Sequence, residues 1–197
     1  MFFMMRYIVF NKPFHVLSQF SPEGERKTLA DFFRGLEKDI YPVGRLDYDS
    51  EGLLVLTNDK RLTHRLLDPE EKHKRTYLVQ VEGIPDERAL STLRSGVWIN
   101  VNGKRMKTRP ADAALIDAPA VPERNPPVRF RKNIPTAWIQ LRLTEGKNRQ
   151  VRRMTAATGY PTLRLIRYSI GTVTIDGLAP GEYAEYDSTV VGKLLKR

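Results

Sequence analysis

Short apolar blocks with two different periods divide this chain. Over 28–38 the apolar positions are 29, 32, 33 and 36, a spacing that predicts a helix with Thr28 as its N-cap. A second short helix is expected over 60–67, stopped by Pro69. A third is expected over 86–95, with Leu90 and Leu93 inward and Gly96 just past its end. Period two appears instead over 76–82, where Tyr77, Val79 and Val81 share a face. It returns over 137–143, which groups Ala137, Ile139, Leu141 and Leu143. Runs at 6–10, 53–57, 164–173 and 181–185 read as further strands, and 97–117 as a small β-rich excursion around the turn Asn102-Gly103. Asn148 is placed to cap a helix reaching Thr158, ahead of Gly159 and Pro161. Strands mixed with intervening helices predict a mixed α/β sheet with helices packed on it.

Composition narrows the class. At 197 residues with 41% apolar content the chain can bury a core as one domain or two small ones, which argues against disorder. Cysteine is absent, so there is no disulfide framework, thiolate metal site or Cys nucleophile. Lys and Arg number 33 against 23 Asp and Glu, a net charge of +10. That excess has one location. Residues 124–167 hold 11 basic residues, nine of them Arg, with Glu145 as the single acid; the remaining 22 basic and 22 acidic residues cancel. A charge confined in this way points to a polyanion, and Arg suits bidentate phosphate and base-edge contacts. Four of the 13 prolines fall within 118–127, which reads as a stiff loop or subdomain junction. Residues 1–10 are apolar apart from Arg6 but lack the flanks of a signal peptide, and methionines at 1, 4 and 5 leave the start codon open. No stretch approaches a membrane span, so a cytoplasmic protein is expected.

His15, His64 and His73 are scattered, without a metal-ligand spacing, and no Walker loop or GxGxxG is present; neither a metal nor a nucleotide cofactor is expected. What remains is carboxylate chemistry beside a basic surface. The loop Gly44-Arg45-Leu46-Asp47-Tyr48-Asp49-Ser50-Glu51-Gly52 holds three carboxylates in five residues between two expected strands. Such acids ordinarily make turns and caps. Arg45, Asp47 and Asp49 nevertheless share period-two spacing, which suits a ligand-facing loop. In Glu145-Gly146-Lys147-Asn148-Arg149-Gln150-Val151-Arg152-Arg153-Met154, Arg149, Arg152 and Arg153 fall at i, i+3 and i+4. Cations in the first turns of a helix oppose its dipole, and a bound anion would reverse that cost; an ordinary solvated basic face is the other reading. Tyr77, on the apolar face of its strand, is either a core residue or a ring offered to a stacked base.

The runs GRLDYDSEGLLVLTND, RTYLVQVEG, EGKNRQVRRM and PTLRLIRYSIG, in this order, closely resemble the RsuA-type family of bacterial ribosomal RNA pseudouridine synthases. The likeness spans about 6–185. FNKPFHVLSQF, RNPPVRFRKNIPTAWI and PTLRLIRYSIG carry a closer likeness to members acting on 23S ribosomal RNA. The resemblance implies an α+β pseudouridine synthase fold, with a mixed, largely antiparallel central sheet, flanking helices and two subdomains around a central cleft. It places one catalytic domain over 1–197, with subdomains of roughly 6–60 with 125–190, and 61–124, and no N-terminal S4 domain. It implies site-specific isomerisation of uridine without a cofactor, with Asp47 as catalytic aspartate, Tyr77 as active-site tyrosine and Arg152 as the partner of the aspartate. Arg45 matches the residue thought to enter the space left by the departing base, and Arg75 stands where relatives carry lysine. Arg149, Arg153, Arg131 and Lys132 complete the expected RNA footprint. The expected partner is 23S ribosomal RNA, naked or in an assembly intermediate, bound by a monomer. The alternatives are a non-catalytic RNA-binding or ribosome-assembly protein on the same scaffold, and a DNA-binding protein, which the lack of helix-turn-helix, finger or zipper signals disfavours.

Overall fold

A computed structural model describes residues 4–129 and 131–196; Met1, one of the three possible starts, lies outside them. The elements in chain order are β1 (Tyr7–Lys12), β2 (Tyr41–Pro42), β3 (Glu51–Thr57), α1 (Lys60–Leu67), β4 (Arg75–Glu82), α2 (Glu87–Ser95), β5 (Trp98–Val101) and β6 (Lys104–Lys107). They continue with β7 (Asp112–Ile116), β8 (Thr136–Leu143), α3 (Gln150–Ala157), β9 (Thr162–Ile170), β10 (Val173–Thr174), β11 (Tyr183–Tyr186) and α4 (Val190–Leu194), plus 3-10 turns at Leu29–Asp31 and Pro69–Glu71. The class is α+β: mostly antiparallel ladders with a few short helices, and one isolated parallel bridge between Val16 and Lys27. No helix among the described residues is long and apolar enough to cross a membrane.

Contacts divide the chain into two units, the described residues up to His73 with those from Arg167 onward, and Lys74–Ile166. In the first unit β1 lies between β11 and β3, pairing Tyr7 with Thr57 at one end and Lys12 with Gly52 at the other. Being central, β1 buries all six residues. Ile8 and Phe10 join Leu54 and Leu56 of β3, together with Leu29, Phe33, Ile40 and Leu46, in one core. Phe10 meets Phe32 and Phe33 with ring centroids 5.3 and 5.0 Å away, and burial of such a ring contributes about 1.5–3 kcal/mol. Asp59 caps α1 through the amides of Arg61 and Leu62.

In the second unit β8 is zipped to β4 from Arg75–Leu143 to Glu82–Thr136 and carries β7 on its other edge. Helix α2 starts on the Asp86 cap and stops at Gly96, whose φ is 88°. A Cβ there would meet the Thr108 carbonyl oxygen at 2.4 Å, so only glycine lets the chain pass this close to the hairpin. Tyr77, Val79 and Val81 of β4 pack with Leu90, Leu93, Ile139, Leu141, Val151 and Met154 in the core of this unit.

Three expectations shift. The helix anticipated over 28–38 contracts to the 3-10 turn Leu29–Asp31, although Thr28 does cap it in a reciprocal box with Asp31. The turn closes on its C-cap Phe32, Phe33 enters the core beside Phe10, and Gly35 at φ 72° lies outside helical geometry. Asn148 is not the cap of α3: Arg149 takes that position in the left-handed region, φ 49°, with no side-chain cap bond. The grouping of 125–190 with 6–60 also differs from the contact division. Residues 125–166 go with 74–124 because β8 pairs with both β4 and β7. Residues 61–73 go with the first unit, where the His73 ring lies 3.1 Å from the carbonyl oxygens of both Arg65 and Leu195.

Candidate active site

The acidic loop 44–50 of the first unit enters β3. Leu46 turns into the core and Arg45 is exposed, while Asp47, Tyr48 and Asp49 are all half-buried. Both neighbours of Asp47 are held by one segment, 12–18. Ser18, itself buried, accepts from the Leu46 amide at 3.1 Å and donates to the Leu46 carbonyl at 2.9 Å. The amide of His15 donates to the Tyr48 carbonyl at 2.9 Å, and the His15 and Tyr48 rings stack at 4.6 Å with 8° between planes. Asp47 accepts at its own carbonyl from the Ser50 amide, 3.0 Å away. The backbone that carries the carboxylate is thus fixed at three successive residues, and rigidity of this kind is what a positioned reactive group requires.

Two buried cations lie beneath this loop. Lys12 is fully buried and donates to the carbonyls of Pro13 and Val16, each at 2.8 Å, which shapes the turn that presents His15. Burial pushes its ammonium down to about 7, against the opposing pull of the Glu51, Asp49 and Asp47 carboxylates; Arg167 adds to the depression. Arg167, also buried, donates from Nε to the Leu53 carbonyl at 2.7 Å. Gly52 makes this possible: at φ 104°, a Cβ there would stand 2.3 Å from the Arg167 carbonyl oxygen.

The remaining expected residues belong to the second unit. Tyr77 is buried in β4, opposite Leu141 and within the apolar core. The i, i+3, i+4 arginines do not form one stripe. Arg152 donates to the Thr162 carbonyl at 3.4 Å. Arg153 folds back onto Asn148, at 3.1 Å to the carbonyl and 3.2 Å to the side chain, and reaches the Asn100 carbonyl with its third nitrogen. Arg149 is exposed. Glu145, the one acid of the basic segment, is an internal strut. Burial raises its carboxyl, but Lys147, the Arg109 amide and Gln150 outweigh that and hold it below the ordinary carboxylate range. Arg131 is exposed and pairs with Glu82 at 3.1 Å, while Lys132 is exposed beside it. Among the described residues no three His, Asp or Glu are grouped as metal ligands.

Lys12, His15 and Ser18 are absent from the sequence-based site. A buried lysine and serine leave no periodic trace in sequence; their only sign is the run FNKPFHVLSQF, which carried resemblance but no stated chemistry.

A family model described as RNA pseudouridylate synthase matches residues 6–157. The chain is 54% identical over 180 residues to a Vibrio parahaemolyticus protein named ribosomal large subunit pseudouridine synthase E, covering 91% of this chain and 73% of that one. A protein of the same name from Xanthomonas axonopodis pv. citri is 54% identical over 176 residues, covering 88% and 90%. Among solved structures, one described as a pseudouridylate synthase matches with a TM-score of 0.80 at 28% identity, covering 96% of this chain and 74% of that chain. Human RNA pseudouridylate synthase domain containing 1 shares the fold, with a TM-score of 0.61 at 16% identity over 93% of this chain and 79% of its own.

Proposed function

The chain belongs to the RNA pseudouridylate synthase family and is an isomerase of that kind, and from this premise we propose that it converts a uridine of 23S ribosomal RNA in the large ribosomal subunit to pseudouridine, with Asp47 as its catalytic residue. The substrate follows from the names of the proteins it resembles at 54% identity. The assignment of Asp47 is supported by a backbone pinned on both sides of it, at Leu46 and Tyr48.

The reaction breaks the bond from the base nitrogen to the sugar, turns the uracil and joins it again through carbon 5. Atoms and electrons balance within the nucleotide, so an electron carrier has nothing to supply. The uridine must first leave its stack, at a few kcal/mol, which phosphate contacts can offset. Asp47 acts as the carboxylate at the reacting nucleotide. Arg152 serves as its cationic partner in the RNA complex, where a charge-assisted bond would fix its direction. Tyr77 holds the detached uracil by its ring, and Arg45 fills the space the base leaves. Arg149, Arg153, Arg131 and Lys132 contribute phosphate contacts. The enzyme works as a monomer in the cytoplasm, where its ribosomal substrate is made.

The test is release of tritium from RNA labelled at carbon 5 of uridine. Asp47→Asn is expected to abolish release while RNA affinity stays within a few-fold. Release at the wild-type rate would falsify the assignment. Mapping pseudouridines in ribosomal RNA from cells lacking the protein, then restoring it as wild type or Asp47→Asn, identifies the position modified.

A further inference from the structure

The hairpin β5–β6 lies outside the segment that holds the net charge, yet it is itself basic and free of acid. From Val97 to Ala111 the sequence has Lys104, Arg105, Lys107 and Arg109 and no Asp or Glu. Its turn, Asn102-Gly103, has positive φ at both residues, 51° and 79°, the geometry that matches the twist of the flanking strands. The register pairs Trp98 with Lys107, Ile99 with Met106, Asn100 with Arg105 and Val101 with Lys104. Directly paired residues share a face, so the hairpin has two unlike sides. Ile99 and Val101 are buried in the core with Val151 and Met154 of α3, and Met106 packs against them. Trp98, Asn100, Arg105 and Lys107 form the outer side.

That outer side presents a large aromatic ring to solvent. Trp98 is 53% exposed, with the Arg105 guanidinium 5.2 Å from its ring centroid. A tryptophan this open is uncommon on a surface without a partner, and here its neighbours are cations. An aromatic ring flanked by positive charge is the combination that binds unpaired nucleotides: the ring stacks on a base of any identity, and the cations meet phosphate. The face is also continuous with α3, because Arg153 donates to the Asn100 carbonyl.

We propose that the outer side of this hairpin is a second RNA contact, in which Trp98 stacks on an unpaired nucleotide of the substrate while Arg105 and Lys107 meet its phosphates. The proposal rests on the RNA-substrate reading above and extends it to residues with no assigned role. The absence of acid from the face selects a polyanion over a protein surface of mixed charge.

The chain has two tryptophans, Trp98 and Trp138, so Trp138→Phe leaves Trp98 as the only indole emitter. The test titrates that variant, as the full chain, with a single-stranded transcript of large-subunit ribosomal RNA and follows emission alongside filter retention of the RNA. Saturable quenching is expected, together with a Kd raised about tenfold in Trp98→Ala, about 1.4 kcal/mol, as for the loss of one stacked base. Arg105→Gln and Lys107→Gln should each reduce the slope of log affinity against log salt by about 0.7. RNA retained while Trp98 emission stays constant overturns the subsite and leaves the RNA substrate intact. Equal quenching by a fully paired duplex overturns the unpaired-base assignment. RNA that is not retained overturns both readings. Because emission needs no turnover, the outcome is independent of Asp47, and the quenching arm needs no substitution at Trp98 that could disturb folding.

Discussion

The loop around Asp47 and the basic face of the second unit are built on opposite plans. The loop sits on buried groups: Ser18 and Lys12 satisfy backbone carbonyls from inside the first unit, and Arg167 passes under Gly52. On the basic face Arg131, Lys132, Arg142 and Arg149 are exposed, and side-chain donors there meet nearby partners, such as Arg131 with Glu82 and Arg153 with Asn148. The difference fits the roles proposed for the two regions. One reactive carboxylate gains from a fixed backbone, because a small misplacement costs rate. A footprint on phosphate gains from long cationic side chains that can adjust, because the attraction is long-ranged and not directional.

Substitutions can test this contrast, beginning with the largest effect. Gly52→Ala places a methyl group 2.3 Å from a backbone oxygen at positive φ. Urea denaturation should show a loss of about 3 kcal/mol or more, or failure to fold. A near-neutral result would mean that the passage of Arg167 under the loop is not rigid. Ser18→Ala removes both bonds to Leu46 and leaves two buried backbone groups unmet. Single-turnover rate at saturating RNA should fall about tenfold or more, with RNA affinity within a few-fold and stability lower by about 2 kcal/mol. Ser18→Thr, which keeps the hydroxyl, should recover much of the rate, whereas equal loss in both variants would refute the role of the hydroxyl.

Lys12 gives a pH signature. Its folded-state value of about 7 lies below the ordinary 10.5, so between these values the unfolded chain holds the proton that the folded chain has released. Stability contributed at this position is therefore least below pH 7 and rises through the window, by up to about 1.4 kcal/mol per pH unit. The stability difference between wild type and Lys12→Met should widen in favour of wild type from pH 7 to 10; parallel profiles would rule out the buried ammonium as its source. The smallest effect belongs to the basic face. Lys132→Gln should lower RNA affinity a few-fold and flatten its salt dependence, and Arg131→Gln should do so less, since Glu82 already neutralises Arg131 in part. The reverse order would show that the Glu82 pair opens when RNA binds.

Strands and most helices were readable because their cause is local. The alternation of Tyr77, Val79 and Val81 becomes β4, Asp86 and Gly96 bound α2, and Asn102-Gly103 makes the hairpin turn. The helix expected over 28–38 shows where local reading stops. Its spacing was helical, but Phe33 gains more from packing against Phe10 than from continuing the turn. Asn148 failed as a cap for a similar reason: its side chain is taken by Arg153.

The sequence by itself determined the kind of protein this is. Charge confined to 124–167, three carboxylates in one loop and motifs in a fixed order need no coordinates to be seen, because each is a property of neighbours along the chain. Tertiary structure alone decided how Asp47 is held and that Lys12 and Arg167 are buried beneath its loop. Ser18 and Leu46 are 28 positions apart, and Arg167 and Leu53 are 114 apart. Hydrogen bonds over such separations depend on where strands meet, and no local pattern encodes that.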